Sequence, residues 1–223
     1  ALAPIVNAYP LGTGATSSAS ISQYIGTGAL IDNENSEMIR VDQHFTPQTT
    51  GYVRFNYDQA VSTTPLGTLA DRTKAYAAPL NGVAELLHVF SPALVDEFSF
   101  GINQAITRTA NLTDLPYTVN VSGFTALNAN STSDQDGTTF SWLDNLSWMH
   151  GRHLVKAGVD IRRIQMNEGS SPSGTLTYTT LADFASNTLD AATSVANMPL
   201  KRMRKTREAG YIQDEFKIRP NFT

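Results

Sequence analysis

Apolar and polar residues alternate along several stretches of this chain, with the period of two that belongs to β-strands having one greasy and one polar side. In the first stretch Ile39, Val41 and Phe45 alternate with Arg40, Asp42 and His44. After the turn Thr46-Pro47-Gln48, Val53, Phe55 and Tyr57 alternate with Arg54, Asn56 and Asp58. Pro47 suits the turn because it fixes φ and cannot donate to a ladder. A second hairpin is predicted from about Val83 to Thr107, turning at Ser91-Pro92-Ala93, with Phe98, Phe100 and Ile102 set against Glu97, Ser99, Gly101 and Asn103. A third occupies Phe140 to Glu168. There Val155, Ala157, Val159 and Ile161 oppose Lys156, Gly158, Asp160 and Arg162, while the first arm carries Trp142 and Trp148 with Asp144 on the same face. The pattern resumes over Ala209 to Ile218, with Ile212, Phe216 and Ile218 on one side, and stops at Arg219-Pro220-Asn221.

Three hairpins and half of a fourth make an all-β chain of about seven antiparallel strands, each arm near the roughly 9 to 11 residues in which a tilted strand crosses a bilayer. The turns are a few residues long. The connections at the other end read as long polar loops at about 61–82, 110–138 and 169–207, with a short helical turn at Leu181 to Asn187. Residues 1–36 show no sustained period and read as a loop-rich segment before the hairpins of 37–223. Short turns on one rim and long loops on the other are the layout of outer-membrane barrels. Soluble sandwiches favour connections of about 4 to 6 residues. No helices separate the hairpins, which argues against a parallel α/β sheet.

Composition adds to this picture. Charged residues are 16% of the chain, well under the usual quarter, and the net charge of −4 leaves no basic face for nucleic acid. With no cysteine there are no disulfides or thiolate metal sites. No apolar run is long enough for a membrane helix, and barrel strands would not show one. The start, ALAPIVNAYPLGTG, lacks the basic and apolar regions of a signal peptide, and the chain is expected to be a segment of a longer protein.

Candidate chemistry is sparse. A nucleophile elbow, HExxH, a phosphate loop and a dinucleotide glycine run are all missing, so no catalytic residue, cofactor or enzyme activity is expected. The carboxylate pairs Asp96-Glu97 and Asp214-Glu215 are strand neighbours and point to opposite faces. His150 and His153 flank a turn without a third ligand nearby, so no metal is expected there. Lys201, Arg202, Arg204, Lys205 and Arg207 form the densest charge cluster. Read as the base of a long loop, they could meet lipopolysaccharide phosphates or be merely solvated. Arg40, Asp42, Arg54, Asp58, Glu97, Asp160 and Arg162 fall on polar faces, where they would line a lumen as a ligand path or as wall-filling ion pairs. Trp142, Trp148, Tyr52 and Tyr57 suit an aromatic girdle or ordinary strand positions.

The segments MIRVDQHFTPQTTGYVRFNYDQA, LLHVFSPALVDEFSFGIN, DNLSWMHGRHLVKAGVDIRRIQMN and YIQDEFKIRPNFT resemble the barrel of TonB-dependent outer-membrane receptors of the Oar-like group. The resemblance spans most of residues 36–168 and 209–223. It implies a location in the bacterial outer membrane and energy-coupled import of an unidentified ligand, or a role in adhesion or secretion. Such proteins join a carboxypeptidase-regulatory-like domain and a plug to a barrel of roughly 22 strands, of which about seven would be a third. The segment contains no TonB box, plug or aromatic-ended terminal strand, so TonB would be engaged only through a plug outside it. Two other readings stay open: a secreted or extracellular adhesive or carbohydrate-binding module, and self-association of free strand edges into fibres.

Overall fold

The computed structural model describes residues 2–18, 21–69, 71–195 and 198–218. Its elements in chain order are α1 (Ala3–Ala8), β1 (Thr16–Ser18), β2 (Ile21–Ser22), β3 (Ile31–Thr46), β4 (Thr49–Leu66), β5 (Asp71–Ser91), β6 (Leu94–Leu112), β7 (Thr118–Val121), β8 (Ser131–His150), β9 (His153–Ser170), β10 (Ser173–Tyr178), α2 (Leu181–Ala185), β11 (Ala191–Val195) and β12 (Met198–Phe216). Seven of them form one sheet in the order β12-β9-β8-β6-β5-β4-β3, antiparallel throughout. This is the meander that the alternating stretches predict. Its outer strands, β3 and β12, do not pair with each other and stand at the two edges.

The tight turns between β3 and β4, β5 and β6, and β8 and β9 share one rim. There Gly151 takes φ +62°, a region that costs a residue with a Cβ. Each turn is tied to the neighbouring hairpin through the backbone: Val89 N–H donates to Gln48 O at 2.8 Å, Met149 N–H to Ala93 O at 2.7 Å and Lys217 N–H to Arg152 O at 2.9 Å.

The strands are longer than their greasy stretches, and this corrects the loop boundaries drawn from the sequence. β4 runs to Leu66 and β5 starts at Asp71, so most of 61–82 is strand. β6 continues to Leu112 and β8 begins at Ser131, which trims 110–138 at both ends. β12 begins at Met198, inside the stretch 169–207, and β3 begins at Ile31, inside the segment 1–36. The backbone ladder does not stop where apolar alternation stops. The 21 residues of β5 reach roughly 70 Å at about 3.3 Å each, and a tilt of roughly 35–45° still leaves about 50 Å of height. A polar upper half can therefore keep its ladder without any hydrophobic signal. The stop at Arg219-Pro220-Asn221 lies outside the described residues.

The cluster of buried side chains sits on the long-connection rim. β7, β10 and β11 form a three-stranded sheet in which β7 and β10 run parallel, because they arrive from different connections. Leu115, Val119, Val121, Leu127, Tyr178 and Phe184 pack there, with Leu2, Ile5, Ala8 and Tyr9 of the N-terminal segment laid against them. The helical turn expected near Leu181 is α2. Its N-cap Thr180 accepts from the Asp183 amide, as capping requires.

Candidate functional site

Pairing register carries side-chain direction from strand to strand, because residues directly opposite each other share a face. Starting from Ile39, paired with Phe55, and Val41, paired with Val53, one face gathers Ala84, Leu86, Phe98, Phe100, Ile102, Phe140, Trp142, Val155, Ala157, Val159, Ile161 and Ile212. Phe45, Val53 and Val159 on it are 61%, 57% and 48% exposed, so no layer of the described residues covers this apolar surface. On β9 it runs from His153 to Arg163. Ten residue-to-residue steps tilted by about 35–45° rise about 25 Å, the height of an outer-membrane barrel's lipid-facing band. Three of the four candidate girdle residues, Tyr57, Trp142 and Trp148, lie on this face. Tyr52 does not, since it is paired with Asp42 on the other side.

The polar face collects all seven of the lumen candidates. Arg40, Asp42, Arg54 and Asp58 come from β3 and β4, Glu97 from β6, and Asp160 and Arg162 from β9. Arg40 bridges Asp42 at 2.6 Å, and its guanidinium carbon lies 3.7 Å from the centre of the Tyr52 ring. The Tyr52 hydroxyl donates to Glu85 Oε2 at 3.0 Å, which extends the chain of contacts to β5. Arg162 holds Asp160 at 2.8 Å, and Lys156 reaches Glu215 at 3.2 Å across to β12. Arg54 Nε, Asn56 Oδ1 and Asp58 Oδ1 are buried without a hydrogen-bond partner among the described residues. Polar atoms placed so call for a ligand, water or further protein against them. Sequence reasoning missed Tyr52 and Glu85 here, because their partnership depends on register.

The basic run is not a loop base. It lies within β12, paired with β9 through Lys201 with Glu168, Arg204 with Gln165 and Arg207 with Arg162. Alternation splits it: Lys201, Lys205 and Arg207 share the polar face with Arg162, whereas Arg202 and Arg204 fall above the apolar band on the other side. Arg204 donates to Met166 O at 3.1 Å and to Asn167 Oδ1 at 3.0 Å. Arg163, which the sequence did not single out, joins the outward pair and donates to Thr206 Oγ1 at 2.8 Å.

At the short-turn rim His153 Nδ1 lies 2.7 Å from Asp214 Oδ2. Trp148 stacks on His150 at a ring separation of 5.1 Å, and His153 lies tilted against Phe216 at 4.6 Å. Among the described residues no three His, Asp or Glu side chains converge as metal ligands. Asp96 and Asp214 point away from Glu97 and Glu215, as alternation predicts. At the opposite rim, burial and the nearby Asp114 raise the Asp71 carboxyl above its ordinary range. Burial also raises the phenol of Tyr9, whose hydroxyl donates to Thr125 O at 3.1 Å.

Comparison with known proteins agrees with this geometry. The family model described as "Outer membrane beta barrel domain" matches residues 1–223. The solved structure of the outer membrane transporter YddB from Escherichia coli superposes with a TM-score of 0.61 at 10% sequence identity, over 87% of this chain and 26% of that one. At that identity the likeness is one of fold, and the chain spans about a quarter of the transporter's length. No curated protein matches the chain.

Proposed function

The chain belongs to the outer-membrane β-barrel domain family, and on that premise we propose that it forms part of the wall of a TonB-dependent, Oar-like transporter that imports a ligand across the outer membrane. Its location is the bacterial outer membrane. The observation that carries the proposal is the division of one uncovered sheet into an apolar side about 25 Å tall and a polar side with unpartnered Arg54, Asn56 and Asp58 atoms. The short turns then lie at the periplasmic rim and the long connections outside the cell. Arg40, Asp42, Arg54, Asp58, Glu97, Asp160 and Arg162 face the lumen. The chain itself contributes wall and passage, not chemistry; TonB would act through a plug carried outside it. A soluble adhesive module fits less well, because Phe45, Val53 and Val159 would have to sit in a water-soluble core and are instead bare.

The test is uptake. Cells lacking the protein should lose accumulation of a nutrient that wild-type cells concentrate, and a protonophore or loss of TonB should reproduce the defect. Uptake that survives both treatments would replace the transporter reading with a passive pore or a surface role.

The split basic run supports a second assignment. Arg202 and Arg204, with Arg163, stand where outer-leaflet phosphates would lie, and Lys201, Lys205 and Arg207 border the passage. Replacing Arg202 and Arg204 by Gln should lower the thermal midpoint in lipopolysaccharide micelles and leave it unchanged in neutral detergent. An equal change in both media removes the phosphate contact.

A further inference from the structure

On the apolar face, close to the short-turn rim, the sheet is indented by a groove of about 380 Å³. Phe45 and Phe98 wall it, Val41 and Leu86 flank it, and it exists because Gly51 and Ala84 bring almost no side chain to the surface. Gly51 is not replaceable at leisure: a Cβ there would come 2.6 Å from Glu85 O. The groove is continuous with the band that faces lipid, so hydrocarbon is its natural content. Its lower end is polar.

One ladder step toward the rim, two residues along each strand from Gly51, Leu86 and Phe98, lie Thr49, His88 and Asp96, which oppose one another in register. Thr49 Oγ1 is 2.8 Å from His88 Nδ1, which leaves Nε2 of the imidazole as the outward polar atom. Asp144 sits diagonally from Asp96 on the same face, and its Oδ1 is buried without a hydrogen-bond partner. An imidazole beside Asp96 at the foot of an acyl-sized groove, with Asp144 one ladder step higher opposite Phe98, offers a donor for a phosphate and acceptors for an ammonium. An anionic headgroup would meet Asp96 unfavourably, and a quaternary ammonium cannot donate to it.

We infer that this groove and the Thr49–His88–Asp96 row form a specific site for one inner-leaflet phospholipid with a primary-ammonium headgroup. The acyl chain lies over Gly51 and Ala84. The phosphate receives from His88 Nε2–H, a tautomer that the Thr49 hydroxyl fixes by donating to Nδ1, and the ammonium donates to Asp96 and Asp144. The site rests on the membrane placement of the apolar face and not on TonB coupling, so loss of the transporter reading leaves it standing.

Native mass spectrometry of the protein released from nanodiscs of equal phosphatidylethanolamine, phosphatidylglycerol and phosphatidylcholine content tests it. One retained phosphatidylethanolamine is expected. Ala84→Phe, which fills the groove from the lipid side, should lower retention about tenfold. Ile212→Phe, on the same face but out on the edge strand β12, should not change it. Asp96→Asn should move the preference toward phosphatidylglycerol without abolishing lipid retention. Retention of all three lipids alike, or retention indifferent to Ala84→Phe in a protein whose circular dichroism is unchanged, overturns the site.

Discussion

The seven-stranded sheet and the small assembly on its outer rim are held together in opposite ways. In the sheet, strands of 16 to 21 residues are joined by backbone ladders, and large apolar side chains such as Phe45 and Val53 point into the surroundings. In the rim assembly no strand exceeds 6 residues, yet Leu127, Val119 and Tyr178 are 0%, 1% and 2% exposed. The sheet has bonds without a core, and the rim has a core with few bonds. A bilayer explains both. Lipid demands that every backbone group be paired internally and gives no reason to hide hydrocarbon, whereas water outside the bilayer rewards burial and tolerates short elements. One chain therefore folds under two solvents, and the boundary between them lies partway up the strands.

Leu127→Ala tests that boundary most severely. A fully buried leucine truncated to alanine costs about 2–5 kcal/mol. The loss should stay in the rim: amides of β7 and β10 should exchange faster while those in the lower halves of β6 and β8 keep their protection. Loss of protection throughout the sheet would mean that the rim core holds the barrel wall in place and that the two regions are one cooperative unit.

A charge on each face sharpens the comparison from the other side. Val53, within the apolar band, and Thr139, level with the band's upper edge, stand on opposite faces of the sheet. In lipid vesicles Val53→Arg should cost about 2–4 kcal/mol, because the guanidinium must stand in hydrocarbon, opposite Val41 and Ala84 with no carboxylate to meet it. Thr139→Arg should stay within roughly 0.5 kcal/mol, because it enters a polar lumen. Urea midpoints in the same vesicles give both numbers, and a reversed order would exchange inside and outside.

What could be read from the sequence follows the same division. Where lipid is the solvent, hydrophobic alternation reports strand, face and turn, and the positions of Ile39, Phe98, Val159 and Asp144 were all legible. Above the band the ladder continues through polar residues such as Ser62, Thr63, Thr107 and Thr132, so period-two contrast vanishes and strand looks like loop. The basic run suffered most: five charges in seven residues suggested a single patch, and only register shows that the pleat divides them. The rim core was invisible for a different reason. Leu2, Leu127 and Phe184 are far apart in the chain and none belongs to a periodic run, so nothing local marks them as partners. The Tyr52–Glu85 bond and the Thr49–His88–Asp96 row likewise exist only through pairing.

The smallest expected effect lies at the junction of the two regions. Asp71 opens β5 on the outer rim, where partial burial and the neighbouring Asp114 hold its carboxyl above the usual range. A raised folded value means that the folded chain binds more proton than the unfolded chain between the ordinary aspartate value of about 3.9 and the raised one. Junction stability should therefore rise as pH falls through that window, level off below it and be lowest at neutral pH, where the ionised carboxylate is an unfavourable guest. Asp71→Asn removes the charge, so it should raise stability slightly at neutral pH and flatten the pH dependence. Amide exchange at the start of β5, followed in both proteins from about pH 4 to pH 8 after correction for intrinsic exchange, measures the difference. A wild-type junction that instead tightens as pH rises would show that Asp71 has a cationic partner there, and would assign to this rim an electrostatic bond in place of a carboxyl raised by burial beside Asp114.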